Sequence, residues 1–455
     1  MKNGKRSSFS GKLGYVLAAA GASVGLGNIW RFPYLAAKYG GGIFLIIYIV
    51  LALTFGYTMI VAETAIGRMT RKSPVGAFKS FGKKKWLSFG GWINAVIPVL
   101  IVPYYSVIGG WVIKYLVEYF RGNAKLLAED GYFTDFISNG VSTELCFVTF
   151  CAFTLIIIFA GVQNGIERVS KIMMPILIVL SVIIAVYSVT RPGALAGVKY
   201  FLVPNVKNFS WMTVVSAMGQ MFYSLSIAMG ILITFGSYMK KDTAIEDSTR
   251  NVEIFDTGIA IMAGLMIIPA VFAFSGGDPG TLQAGPSLMF ITIPKVFQNM
   301  GFGTVIGIVF FLLVLFAAVT SSIALTESAV STFEDELGWG RKKATVLVGV
   351  IMLALGSLSS LGYGPLAGIK IIGMQLLDLF DFLTNSVMMP IAALLTSLFV
   401  SRVVGIDKIE EEIIHGESAF RRKKVFVVMI KYLCPVCAII ILLSSVANAL
   451  GWIKM

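Results

Sequence analysis

Oxygen-bearing side chains stand inside long apolar runs, where they are costly to accommodate. Ser23 and Asn28 lie among Gly21, Gly25 and Gly27, Ser224 and Ser226 open the run SLSIAMG at 224–230, and Thr320, Ser321 and Ser322 stand together inside a long apolar stretch. Hard cations take oxygen ligands: carbonyls, hydroxyls, amide oxygens and carboxylates. Glycine-rich backbone that leaves the helix adds carbonyls, and in lipid those must be satisfied by protein, water or an ion. Two plainer readings compete. Hydroxyls in membrane helices bond back to their own backbone, and small residues let helices approach closely. Three clusters in three apolar runs, two of them at helix breaks, favour an ion site.

Charged groups inside apolar runs are costly and default to function. Arg31 lies about one turn beyond the first break, and Asp378 and Asp381 sit early in the run 370–401. Arg31 and Asp381 could pair over a central site, wet when apart and dry when closed; the alternative is that each is merely interfacial. Glu63, in VAETAIGR, is expected to accept bonds from unwound backbone. Asp256 falls near the level of the breaks by counting and is the best-placed fixed anion beside a bound cation. Tyr104 and Tyr105 offer a hydroxyl and an aromatic wall, although tyrosine is common in helical cores. Arg6 is a candidate partner for Asp335 in FEDEL; a surface pair without gating is the alternative, worth only ~0–1 kcal/mol. His415 is the sole histidine and lies in a charged loop, which excludes a histidine metal cluster and a multi-histidine proton relay. Cys146, Cys151, Cys434 and Cys437 all fall in apolar runs and read as packing residues.

The elements that must position these groups follow from composition. The chain has 455 residues, 57% hydrophobic and 13% charged, against roughly 25% charged in soluble domains. Many apolar runs reach the ~20 residues needed to cross a bilayer. The reading is an all-α polytopic membrane protein with eleven spans, near 13–36, 41–69, 88–120, 142–161, 166–190, 209–238, 251–274, 303–334, 343–362, 370–401 and 425–449. The first is too long for a signal peptide and lacks a cleavage site. The stretch 275–302 is too polar and too rich in glycine and proline to span, and is expected as an ordered, hairpin-like loop.

Net charge is +13, but the basic residues lie in short loops, as orientation signals do, which argues against nucleic acid. Lys2, Lys5, Arg6 and Lys12 precede the first span; loops 69–87, 239–250, 335–343 and 402–424 carry most of the other loop cations. All fall on one side if eleven spans are correct. The N-terminus is therefore expected in the cytoplasm and the C-terminus outside. The first and sixth spans are both interrupted, five spans apart, which points to two five-span repeats of opposite topology, 13–190 and 209–401, with 425–449 outside them. The whole of 1–455 reads as a single transmembrane domain.

These pieces resemble the neurotransmitter:sodium symporters, and more closely their bacterial amino-acid-transporting members with eleven spans. The resemblance covers nearly the whole chain and rests on LGYVLAAAGASVGLGNIWRFP at 13–33, GIER at 165–168, GQMFYSLS at 219–226, TSSIA at 320–324 and FEDEL at 333–337. It implies the LeuT-type fold, two inverted five-helix repeats with helices 1 and 6 unwound at the substrate site, in a bacterial cell membrane. It implies two sodium sites. One resembles the Ser23 carbonyl, Asn28, Ser224, the residue at 256 and the substrate carboxylate. The other resembles carbonyls of Gly21, Val24 and Ala317 with the hydroxyls of Thr320 and Ser321. The implied substrate pocket is Ser23, Gly27, Ile101, Tyr105, Tyr223, Ser224, Ser226, Met229, Ser321 and Leu325, with Tyr105 on the substrate carboxylate and Tyr223 as lid. Arg31 with Asp381 resembles the outer gate. Arg6, Tyr238 and Asp335 resemble the inner one, with Phe9 where the family usually has tryptophan.

Two departures from the family pattern are informative. Asp256 stands where a well-studied branch has asparagine, and a carboxylate there could do the charge compensation that chloride does in many animal members, so chloride independence is expected. Gly25 stands where monoamine transporters carry an aspartate for the substrate amine, so the substrate is expected to be an amino acid bringing its own carboxylate. Met229 and Leu325 make an apolar, deformable pocket that favours hydrophobic or aromatic side chains. The rivals are a solute sensor or channel without coupled flux, for which an appended signalling domain is expected and none is seen, and a membrane enzyme, for which no nucleophile–base pair is found.

Overall fold

The computed structural model describes residues 6–276, 285–449 and 451–452. Lys2, Lys5 and residues 277–284 of the expected loop lie outside the described residues. Apart from two isolated β-bridges, helices are the only regular secondary structure among the described residues. Lipid leaves an apolar segment little choice, because every backbone polar group must be satisfied within it.

Among the described residues, nine uninterrupted helices are long and apolar enough to cross a membrane: Gly42–Thr70, Lys85–Phe120, Gly140–Phe159, Val162–Val189, Ile245–Ser275, Gly303–Leu337, Arg341–Leu361, Leu376–Val404 and Lys423–Ala449. A tenth span is Lys12–Ser23 with Gly27–Lys38, bent by 53° at the break. Trp211–Ser224 and Ile231–Tyr238 flank a non-helical stretch and occupy the place of the sixth span. Together these are the eleven expected spans. The stretch after Ser275 is not a span; its described part holds the short apolar helix Leu288–Gln298.

The two breaks brace each other. Val24 turns to an extended backbone and ends the first half-helix. In the sixth span Ser226 and Ala228 adopt φ of 52° and 58°, the left-handed region that side chains enter only at a cost. Their neighbours hold them there. Ser226 Oγ donates to the Ala22 carbonyl at 2.9 Å, and the Ala228 N–H donates to Glu63 Oε1 at 2.7 Å, as expected of Glu63. Glu63 reaches that point because the second span crosses the lower sixth at two glycines. A Cβ on Gly67 would lie 2.0 Å from the Ile233 carbonyl oxygen, and one on Gly236 would lie 2.5 Å from that of Thr64. Around this centre the third span, a continuous helix that holds Pro98 and Pro103 in its interior, packs along the eighth, which carries the 320–322 hydroxyls.

Candidate functional site

At the level of the breaks lies a cavity of about 30 Å³, bordered by Ala22, Ser23, Gly25, Leu26, Gly27, Asn28, Ile101, Tyr105, Tyr223, Ser226, Met229, Ser321 and Leu325. Nine of the ten expected substrate residues are in that lining; Ser224 is the exception. The Tyr105 hydroxyl accepts from the Leu26 N–H at 3.3 Å, while Tyr104 turns away to Thr384 and Asn385 of the tenth span. Glycine is required twice. A Cβ at Gly25 would stand 2.7 Å from Ser321 Oγ and 3.0 Å from Tyr105 Oη, and one at Gly27 would lie 2.3 Å from the Tyr223 ring.

Ser224 instead faces a buried polar cluster behind the cavity. Its hydroxyl lies 2.9 and 3.0 Å from the two Asp256 carboxylate oxygens. Asn28 Nδ2 donates to Asp256 Oδ1 at 2.8 Å and to Ser224 Oγ at 2.9 Å, and the Tyr48 hydroxyl donates to Asp256 Oδ2 at 3.0 Å. Asn28 Oδ1 accepts from Gly25 N–H at 3.2 Å. On the other side of the first span, Ser321 Oγ lies 3.3 Å from the carbonyl oxygens of Gly21 and Val24 and 3.2 Å from that of Ala22. Thr320 Oγ1 is 3.2 Å from the Ala317 carbonyl oxygen. The three carbonyls and two hydroxyls expected to act together are thus neighbours. Such neutral, all-oxygen donors fit a hard monovalent cation and suit no soft metal.

The Arg6 face is shut. Arg6 Nη1 meets Asp335 Oδ1 at 2.5 Å, and its other nitrogens reach Ser237 and Ser331. Asp335 Oδ2 also accepts the Ser73 N–H at 2.6 Å. Arg6 rests 5.0 Å from the Tyr238 ring centroid, while the Tyr238 hydroxyl goes to Glu327, which pairs with Arg341 at 2.6 Å. Phe9 is buried edge-on against Tyr15, Phe235 and Tyr238. On the Arg31 face the expected pair stands apart. Arg31 and Asp381 border the same cavity of about 350 Å³, yet among the described residues no ion pair joins them. Arg31 lies 5.4 Å from the Tyr223 ring centroid, and Asp381 takes a hydrogen bond from Asn385 at 2.6 Å. The space between them leaves each group to satisfy itself locally.

Residues 6–128 and 134–452 match the sodium:neurotransmitter symporter family. The chain belongs to that family. Over 450 residues it is 34% identical to the sodium-dependent transporter YhdH of Bacillus subtilis, covering 98% of this chain and 99% of that protein. It is 32% identical to a sodium-dependent transporter of Haemophilus influenzae, covering 97% and 99%. The crystal structure of MhsT in complex with L-phenylalanine superposes with a TM-score of 0.86 at 35% identity, over 97% of this chain and all of that one. The chain is therefore a sodium-dependent, multi-pass membrane transporter with a LeuT-like fold, not an enzyme.

Three features of this symporter escape sequence reading. Tyr48 is one tyrosine in an apolar run, and a buried hydroxyl signals only that some partner exists. Gln220, inside GQMFYSLS, donates to the Gly27 carbonyl at 3.0 Å; its place in the motif marks it, but not its partner. Glu327 and Arg341 flank the inner network from the eighth and ninth spans, and only the intramembrane cost of Glu327 could have drawn attention.

Proposed function

We propose that this symporter imports a hydrophobic or aromatic amino acid together with sodium, by alternating access and without chloride. The cavity at the breaks carries the reading. Its polar end is made of broken-helix backbone, Tyr105 and Ser321; the rest is Ile101, Met229 and Leu325. Gly25 puts no carboxylate at the polar end, so the substrate must bring its own. That MhsT, similar over nearly the whole chain, is known in complex with L-phenylalanine supports the class of side chain. Tyr223 roofs this cavity, its ring lying against Gly27, and Met229 stands at its side. An amino acid thus enters only when Tyr223 lifts from Gly27 and the flexible Met229 shifts.

In this reading sodium is cargo, taken at two places. One uses Ser23, Asn28, Ser224, Asp256 and the substrate carboxylate; the other uses Gly21, Val24, Ala317, Thr320 and Ser321. The substrate carboxylate sits near the positive end of a half-helix. Asp256 supplies the fixed negative charge, which makes chloride unnecessary. The two five-span repeats, 13–190 and 209–401, carry the site between them and rock about it. Arg31 and Asp381 close above Tyr223, and Arg6, Tyr238 and Asp335 open below. With the N-terminus in the cytoplasm of a bacterial cell, inward sodium adds ~2.3 kcal/mol per charge for each 100 mV.

The test is uptake of labelled amino acids by proteoliposomes under an inward sodium gradient, with chloride or gluconate as anion. The expected result is accumulation of phenylalanine-like substrates, equal in both anions and abolished when potassium replaces sodium. Saturable binding without gradient-driven accumulation would sink the symport reading.

A further inference from the structure

The lower half of the first span, Lys12–Ser23, is a separate rigid piece because the chain breaks and bends after it. Whether it can swing depends on what holds its lower end. Arg6 provides one hold, toward Ser237, Ser331 and Asp335. A second is built on the fifth span, around the glutamate of the GIER motif. Glu167 is 2% exposed. Its Oε2 accepts the Ser10 N–H at 2.9 Å, and its Oε1 accepts the Ser10 hydroxyl. Nearby, Gln163 Nε2 donates to the Ser8 carbonyl at 2.7 Å.

The site is shaped for this contact. A Cβ on Gly14 would stand 2.4 Å from the Glu167 carboxyl carbon, so the carboxylate reaches Ser10 only because residue 14 has no side chain. Seven residues on, Met174 stands 3.5 Å from the Cβ position of Gly21. A glycine-lined face of the first span therefore lies against a matching face of the fifth, from Ser10 up to the Thr320 cluster. The fifth span begins there as a widened π turn, Val162–Glu167, a local irregularity that recurs at functional sites.

We propose that Glu167 is a positioning residue, a second latch that holds the lower first span closed and must release Ser10 before the site opens on the Arg6 face. The charges make it a latch rather than a bolt. Lys171 pairs with Glu167 at 2.6 Å from the next turn of the same helix. It stays with the carboxylate when Ser10 leaves, so no ion is stranded. What breaks is the set of charge-assisted hydrogen bonds made by Ser10: its N–H and hydroxyl donate to Glu167, its hydroxyl accepts from Lys171 Nζ at 3.3 Å and its carbonyl from Lys240 Nζ at 2.7 Å; water entering from that face replaces them. Arg6 and Asp335, by contrast, sit on elements that separate, and both ions must be rehydrated.

This inference rests on the alternating-access reading, but its main test needs no transport. Hydrogen–deuterium exchange of the full-length protein in lipid nanodiscs, in sodium, reads the amides of residues 8–20. In Glu167→Gln these should exchange roughly tenfold faster or more, with the amides of residues 45–60 unchanged. Ser10→Ala, which keeps the charge and the backbone donor, should give a smaller rise in the same amides. Gly14→Ala should mimic Glu167→Gln, yet add nothing in a Glu167→Ala background, where the space is free. In proteoliposomes the sodium concentration for half-maximal uptake should rise in Glu167→Gln, because the closed inner face is the one that accepts sodium from outside. Unchanged exchange at 8–20 in both Glu167→Gln and Ser10→Ala overturns the latch. So does a uniform rise through every span, the signature of a group that merely supports the fold.

Discussion

Three donors converge on Asp256: the hydroxyls of Tyr48 and Ser224 and the amide of Asn28. They come from the second, sixth and first spans, so one carboxylate ties both breaks to the wall behind them. Asparagine at 256 offers one acceptor oxygen and turns an NH2 toward a donor. That leaves a buried polar mismatch costing about 1–3 kcal/mol and removes the fixed charge. In Asp256→Asn, uptake in gluconate should fall by roughly tenfold or more, and chloride should restore part of it. Equal and undiminished uptake in both anions would remove Asp256 from charge balance. The importance of Asp256 is legible in the sequence, because a carboxylate deep in an apolar run is expensive. Its partners are not. Tyr48 lies 208 residues away, and nothing in the run IIYIV distinguishes it from a tyrosine packed for its ring alone.

At the scale of elements, the breaks were readable because glycine and hydroxyl residues interrupt apolar runs, and that composition has a direct backbone meaning. The π turns were not. Phe382–Met388, just after Asp381, widens the tenth span, but an extra residue per turn leaves no mark on hydrophobic pattern or helix propensity. Nor does sequence reveal that Arg31 lies against Tyr223 rather than Asp381, since pairing depends on how far two helices stand apart. The break in the first span carries its own prediction. Gly27 lets the Tyr223 ring settle where a Cβ would stand 2.3 Å from it. Gly27→Ala should prop the lid up and raise the substrate KM about tenfold or more, because the closed cavity loses its roof. Gly219→Ala, one turn before Tyr223 on the same helix with nothing within 4 Å of its added Cβ, should leave KM alone and, if anything, stabilise the helix. Equal KM values in the two variants would mean that the lid does not bear on Gly27.

The whole molecule poses one question that packing cannot answer, which face meets the cytoplasm. The charge pattern supports the orientation proposed above, with the Arg6 face in the cytoplasm. Lys83, Lys84 and Lys85 crowd the loop between the second and third spans and are exposed, while the next loop carries Glu129 and Asp130, with Asp130 paired to Lys295. Basic short loops stay in the cytoplasm because translocating them opposes both the insertion machinery and the membrane potential. In the proposed orientation the shut face at Arg6 would lie inside and the 350 Å³ cavity at Arg31 outside, so that sodium and substrate would meet the cavity first, as import requires. Single cysteines test this. In intact cells a membrane-impermeant maleimide should label Glu129→Cys and leave Lys84→Cys unlabelled until the cells are permeabilised. Cys151 and Cys434 are buried and Cys146 and Cys437 half-buried, so the parent protein should give a low background, which is measured alongside. Labelling of Lys84→Cys before Glu129→Cys would invert the molecule. The cavity at Arg31 would then face the cytoplasm, and the same geometry would describe a site loading from inside the cell.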